Sequence, residues 1–216
     1  LAHMMSAETA SALAGLIDPK RAMADPKALS AQVHRETIYI TVVDKDRMAV
    51  SLIYSIFDGF GSGIASEKYG ILFQNRAAGF TLERGHPNEA GGGKRPMHTI
   101  IPAMLRQNDR LVMPFGVMGG PYQPNGHARV LTNMIDYGLD PQAALDAPRS
   151  FYDPRYGTQV ERGYSDAVRA ELAEMGHSVV IPQTALGGAQ AIWIDPESGV
   201  LQGASDPRKD GCAPGY

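Results

Sequence analysis

At residue 37 the character of the chain changes within a single step, and that boundary limits what the rest can become. Ahead of it, from Asp18-Pro19 to His34, the residues are largely Ala, Lys, Pro and Asp, with neither a period nor an apolar stripe, which reads as a mobile connector. Beyond it, Ile38 to Val43 and Ala49 to Tyr54 are two β-branched or apolar runs separated by Asp44-Lys45-Asp46-Arg47. Such a pair predicts a β-hairpin that opens directly at Thr37.

Two more hairpins follow from the same signals. Ile100 to Leu105 and Leu111 to Phe115 flank Gln107-Asn108-Asp109, and Gln190 to Ile194 and Val200 to Ala204 flank Asp195-Pro196-Glu197-Ser198-Gly199. Three stretches favour helix. Residues 5 to 17 place Leu13, Leu16 and Ile17 on one stripe and stop at Asp18-Pro19. A second helix starts near Pro124, with Val130, Leu131, Met134 and Ile135 as its buried face and Gly138 as its stop. Ser165 caps a third, in which Val168, Leu172 and Met175 share a face and Gly176 ends the run. Hairpins, then helices, then a hairpin predict an α+β chain, an antiparallel sheet layered with helices rather than alternating βαβ units. The long stretch from Asn75 to Pro96 has almost no periodicity, and loops of that length inside a compact domain are usually functional.

Composition narrows the partners. With 216 residues, 44% hydrophobic and 20% charged, the chain can bury one sizeable core. A net charge of -3 gives no electrostatic footprint for nucleic acid or an anionic membrane, which favours a small molecule or a protein. No apolar run approaches the roughly 20 residues needed to span a bilayer. The single cysteine, Cys212, excludes an internal disulfide framework and a cysteine-based zinc cage. The six histidines show no pair at helical ligand spacing, so no metal site is expected. Gly93-Lys94 lacks the rest of a phosphate loop, and Gly59 to Gly63 does not fit a serine nucleophile elbow. The start carries no targeting pattern and reads as part of a longer protein, which leaves the compartment open.

A series of blocks in register adds a family reading. Thr37-Ile-Tyr-Ile-Thr-Val-Val-Asp-Lys-Asp46, Ala49-Val50, Phe60-Gly-Ser-Gly-Ile64, Gly70-Ile-Leu72, Lys94-Arg-Pro96 with Pro102, Gly119-Gly120, and Gly203-Ala-Ser-Asp-Pro-Arg208 with Gly215-Tyr216 resemble the small subunit of gamma-glutamyltranspeptidases. The resemblance runs from about His34 to Tyr216. It implies the four-layer αββα sandwich of N-terminal-nucleophile (Ntn) hydrolases, without metal or organic cofactor. It implies a precursor that cuts itself between Glu36 and Thr37, so that residues 1 to 36 are the tail of a large subunit and 37 to 216 the catalytic small subunit. The freed Thr37 would then carry its own general base, an α-amine of pKa near ~8, beside its nucleophilic hydroxyl. If residues 1 to 36 stay joined, that amine is blocked.

The same resemblance assigns Gly119 and Gly120 to an oxyanion hole and Ser55 to a hydrogen bond on the nucleophile. On the residues alone, Thr37 is an ordinary strand former, the glycine pair a tight turn and Ser55 a strand-end serine. The substrate positions depart from the family. An asparagine, a Gln or Glu, and an aspartate that hold a γ-glutamyl group become Phe57, Arg76 and Gly79, and the paired serines after Lys94-Arg95-Pro96 become His98 and Thr99. Without the acid that pairs with a substrate ammonium, γ-glutamyl compounds should bind poorly. Arg76 points instead to a carboxylate lacking the amine, as in a subgroup resembling glutaryl-cephalosporin acylases and oxamate amidohydrolase. The implied activity is hydrolysis of a small-molecule amide through a Thr37 acyl-enzyme, with acyl transfer possible, and the implied partner is the large subunit. Two alternatives stand beside it: a true γ-glutamyl transferase acting on glutathione, and a non-catalytic homologue that serves as a binding or assembly subunit.

Overall fold

The computed structural model describes residues 6–15, 17–22, 36–154 and 156–215. Helix α1 spans Ala7–Ala14. The expected stripe through Leu13 and Leu16, most of the connector, and His3 and His34 lie outside what is described. The first hairpin forms as expected: β1 (Glu36–Val43) pairs antiparallel with β2 (Ala49–Phe57). The Asp44 carboxylate accepts the backbone N–H groups of Asp46 and Met48, which closes the turn.

The second hairpin joins β3 (Ala103–Gln107) to β4 (Arg110–Met118). Asn108 and Asp109 turn it at φ 49° and 61°, the left-handed pair that a two-residue hairpin of matching twist requires and that these residue types tolerate. Strand β3 starts at Ala103 rather than Ile100, because Pro102 has no N–H to give the ladder.

A short turn leads into α2 (Gln123–Ile135), followed by α3 (Pro141–Asp146), β5 (Ser150–Asp153), β6 (Gly157–Val160), α4 (Asp166–Glu174), β7 (Val179–Val180), β8 (Gly188–Ile194) and β9 (Leu201–Ser205). Strands β3, β4, β8 and β9 form one four-stranded antiparallel sheet in that order. The β1–β2 hairpin stacks on one face of it, and α2 and α3 cover the other. The core between sheet and helices is built on Met113, Phe115, Val117, Tyr122, Val130 and Leu145. On the hairpin side Tyr39 lies against Gly116, where a β-carbon would come within 2.4 Å of its ring. The described residues thus supply two stacked sheets and one helical layer of a four-layer sandwich.

Three details differ from expectation. Ile135 is 66% exposed, whereas Val130 is buried and Leu131 and Met134 pack on the core as expected; the buried face of α2 also takes in Gln123, Gly126, His127 and Asn133, because polar side chains there bond to backbone. Ser165 caps α4 as predicted, accepting from the Val168 N–H, but none of that helix's residues is buried. The small helix α3 and the sheet β5–β6–β7, whose last pair is parallel, carry no strong signal in the sequence.

Candidate active site

Antiparallel pairing sets Thr37 directly opposite Ser55, and side chains across such a pair share a face. Their hydroxyl oxygens are 3.1 Å apart. One residue earlier the register slips: Glu36 pairs with Phe57, which leaves Ile56 of β2 as the extra residue of a bulge opposite the Glu36/Thr37 bond. Bulges break the ladder locally, so the strand pair is irregular where this peptide bond sits.

Phe57 ends β2 at φ 81°. For a bulky residue that conformation costs of order 1–3 kcal/mol and persists only where the surroundings enforce it. Here a clamp does so. The Asp58 N–H donates to the Asn75 side-chain oxygen at 3.0 Å, the Asn75 amide donates back to the Asp58 carboxylate at 2.7 Å, and the Asn75 N–H reaches the Ile56 carbonyl at 3.2 Å. The clamp holds the end of β2 against the single 3₁₀ turn Arg76–Gly79, and that turn delivers Arg76 to Ser55.

Arg76 is buried, at 8% exposure. One guanidinium nitrogen, Nη2, donates to Ser55 Oγ at 3.2 Å, and the plane lies 4.9 Å from the centre of the Phe57 ring. Burial lowers its pKa, though a guanidinium starts so high that it stays cationic. The other nitrogen, Nη1, is buried and has no partner among the described residues.

Beside this group Phe57, Ala78, Gly79, Phe80, Met97, Thr99 and Pro121 line a pocket of about 50 Å³. Thr99 is buried, and its hydroxyl also has no partner among the described residues. His98 is exposed, with its pKa lowered by partial desolvation and then by the charges of Arg76 and Arg95. Its imidazole is therefore mainly neutral at pH 7.

Gly119 and Gly120 end β4 at φ 127° and 56°. A β-carbon on Gly119 would sit 2.8 Å from the Gly187 α-carbon, so two loops cross there at a distance only glycine permits. Pro121, the next residue, lines the pocket. The glycine pair is thus a tight turn whose exit borders the Phe57 site.

The structure therefore links Thr37, Ser55, Phe57 and Arg76 by direct contact, puts Gly79 and Thr99 in the same pocket, and sets His98 within electrostatic reach of Arg76. The Glu36 side chain lies outside the described residues. Among the described residues no three His, Cys, Asp or Glu side chains gather as a metal site would need. Two features were missed from sequence, the Asp58–Asn75 clamp and the Arg76–Ser55 contact. Neither has a local signature, because each joins segments separated by 17 and 21 residues.

The family model described as Gamma-glutamyltranspeptidase matches residues 1–216. The glutathione hydrolase-like YwrD proenzyme of Bacillus subtilis is 37% identical over 196 residues, covering 87% of this chain and 37% of that protein. The oxamate amidohydrolase proenzyme of Klebsiella pneumoniae is 39% identical over 189 residues, covering 84% and 36%. Among solved structures, a cephalosporin acylase from Bacillus halodurans superposes with a TM-score of 0.87 at 39% identity, covering 99% of this chain and 39% of that one. The chain spans less than two-fifths of the length of these relatives.

Proposed function

The chain belongs to the gamma-glutamyltranspeptidase family, and on that premise we propose that it is the catalytic part of a self-processing Ntn amidohydrolase with Thr37 as nucleophile. The observation that carries the reading is the 3.1 Å contact between Thr37 Oγ1 and Ser55 Oγ beside a bulge opposite the Glu36/Thr37 bond. In processing, the Thr37 hydroxyl oxygen attacks the Glu36 carbonyl carbon and the C–N bond breaks. The nitrogen takes up the hydroxyl proton, and water then splits the resulting ester. The new α-amine next accepts the proton of the same hydroxyl while the oxygen attacks a substrate amide; the amine portion leaves with that proton, and water or an acceptor amine takes the acyl group. Gly119 and Gly120 supply main-chain N–H donors for the oxyanion.

The substrate is an amide of a small acyl group that bears a carboxylate. Arg76 Nη1 and the Thr99 hydroxyl are the donors that meet the carboxylate, and Phe57 and Gly79 give no counter-charge for an α-ammonium. The partner is the remainder of the precursor. It packs on the outer face of β1–β2, where Ile38, Ile40, Val42, Val50, Leu52 and Tyr54 are each between 46 and 67% exposed.

Intact mass spectrometry of the full-length protein tests this. Wild type should yield a fragment beginning at Thr37 and Thr37→Ala should yield none; processing that persists in the variant removes the nucleophile assignment. Activity on a glutaryl anilide or oxamate should exceed that on a γ-glutamyl anilide.

A further inference from the structure

The stretch from Phe80 to Pro96, which shows no period in sequence, folds into a loop closed by its own contacts. Lys94 Nζ donates to the Pro87 and Glu89 carbonyls at 3.1 and 2.8 Å, and the Gly85 N–H reaches the Glu89 carboxylate at 2.8 Å. The Thr81 N–H donates to the Asn88 carbonyl at 3.0 Å, and the Ala90 N–H to the Thr81 carbonyl at 2.9 Å. Compact surface loops of this kind are frequently functional. One side chain ties its two ends together. The Asn88 amide N–H donates to the Gly79 carbonyl at 2.6 Å, and the amide oxygen accepts the Met97 N–H at 2.8 Å. Gly79 and Met97 both line the pocket beside Arg76. A β-carbon at Gly79 would stand 3.6 Å from the Met97 carbonyl and 3.9 Å from the Phe57 ring, so the gap that Asn88 bridges is narrow.

We infer that Asn88 is a positioning residue that fixes the width of this pocket and thereby limits the length of the acyl group the site accepts. The inference rests on the proposed function above, in which Arg76 Nη1 and Thr99 hold the carboxylate and Thr37 attacks the amide carbonyl. With both ends of the acyl chain held, an added methylene has only sideways room, between Gly79 and Met97. The pocket offers about 50 Å³, less than the liquid volume of two waters at ~30 Å³ each. Walls joined by a side chain that uses both its donor and its acceptor cannot spread to make more. Asn88 acts through Gly79 and Met97, and its effect falls on which substrate fits rather than on the nucleophile.

The full-length protein would be assayed on a series of ω-carboxyacyl p-nitroanilides from malonyl to pimeloyl. In wild type, kcat/KM should fall by at least ~10-fold from the best member to the one a single methylene longer, the discrimination a tight pocket gives per methylene. Asn88→Ala should flatten that ratio to within ~3-fold while releasing the Thr37 fragment at the wild-type rate, which also shows that the variant has folded. A ratio as steep in Asn88→Ala as in wild type would overturn the proposal, even with KM raised uniformly, since that is what a merely structural loop residue gives. A shallow ratio in wild type, or self-cleavage slowed as much as turnover in the variant, would overturn it too. Should Asn88→Ala fail to fold by thermal melt, Asn88→Asp decides, because it keeps the acceptor for Met97 and loses the donor to Gly79. Its ratio should flatten, and an unchanged one defeats the inference; any uniform effect of the new charge cancels in the ratio. Wild type inactive on the whole series, or processing that persists in Thr37→Ala, sinks the underlying function instead.

Discussion

Strand β4 is covered on both faces, with Val112 to Met118 all buried between the β1–β2 hairpin and the helices α2 and α3. Strand β1, stacked directly on that sheet, is covered on one face only: Tyr39 is buried while Ile38, Ile40 and Val42 stand in solvent. Yet the outward positions of β1, Ile38, Ile40 and Val42, are as apolar as the covered positions of β4. A one-sided strand ordinarily alternates apolar with polar residues, and a continuous apolar run is what a strand covered on both faces carries. The hairpin that bears Thr37 thus keeps an apolar outer face that the described residues leave uncovered.

The two regions are also held differently. Behind the central sheet, Arg149 forms an ion pair with Asp206 at almost no exposure; Arg149 also donates to the Leu186 and Leu145 carbonyls, and Asp206 accepts the Ala189 N–H. Every charge there is matched. At the hairpin, Arg76 Nη1 and Thr99 Oγ1 are buried without partners among the described residues, and Phe57 is held at a costly φ. Satisfied groups stabilise, whereas a buried group without a partner costs free energy.

The sharpest break in this comparison comes from Arg149→Ala, which strips Asp206 of its fully buried partner, leaves it only the part-exposed Arg208, and orphans the Leu186 and Leu145 carbonyls. It should lower stability by about 3–5 kcal/mol in urea unfolding, where Thr37→Ala should abolish processing yet cost about 1 kcal/mol, roughly one hydrogen bond. Equal losses from the two would erase the distinction between a structural and a functional region.

Next in size is the contrast of Met113→Ala with Leu52→Ala. Met113 is fully buried, and its truncation should cost about 2–5 kcal/mol. Leu52 is half exposed; in the full-length protein its truncation should cost a comparable amount if a further layer packs there, and within about 0.5 kcal/mol if none does.

Gly79→Asp probes the pocket itself. A β-carbon at Gly79 meets only ordinary contacts, at 3.6 Å to the Met97 carbonyl and the Pro96 side chain, so the change is sterically mild. Restoring an acid there should shift the kcat/KM ratio toward γ-glutamyl over glutaryl anilide on the order of tenfold.

The smallest effect is on pH dependence. The covered ring of His127, under Phe115 at 5.2 Å between centroids, has its pKa lowered by burial despite its hydrogen bonds to backbone. The folded protein then binds fewer protons than the unfolded chain between that lowered value and the ordinary one near ~6.5. Stability accordingly rises with pH through this window and is lost on acidification. The urea midpoint should fall as pH drops below ~6.5, and His127→Gln should flatten that slope.

Local chemistry explains what was readable beforehand. The hairpin turns at Asp44 and Asn108, the Ser165 cap and the glycine stops depend on a few neighbouring residues, and each sits where those residues placed it. Ile135 went wrong because helical spacing names a stripe without saying how wide the cover is. The four-stranded order β3-β4-β8-β9 was out of reach for the same kind of reason, since β4 finds β8 across three helices and a three-stranded sheet.

By itself, then, the sequence determined where the strands begin and turn, that Thr37 opens the first of them, and which family pattern the chain follows. Only the tertiary structure decided that Arg76 reaches Ser55, that the Thr37 and Ser55 hydroxyls meet, and that Arg149 closes on a partner 57 residues away. Periods and turns are set by bonds between near neighbours, while contacts of this kind depend on which distant groups packing brings together.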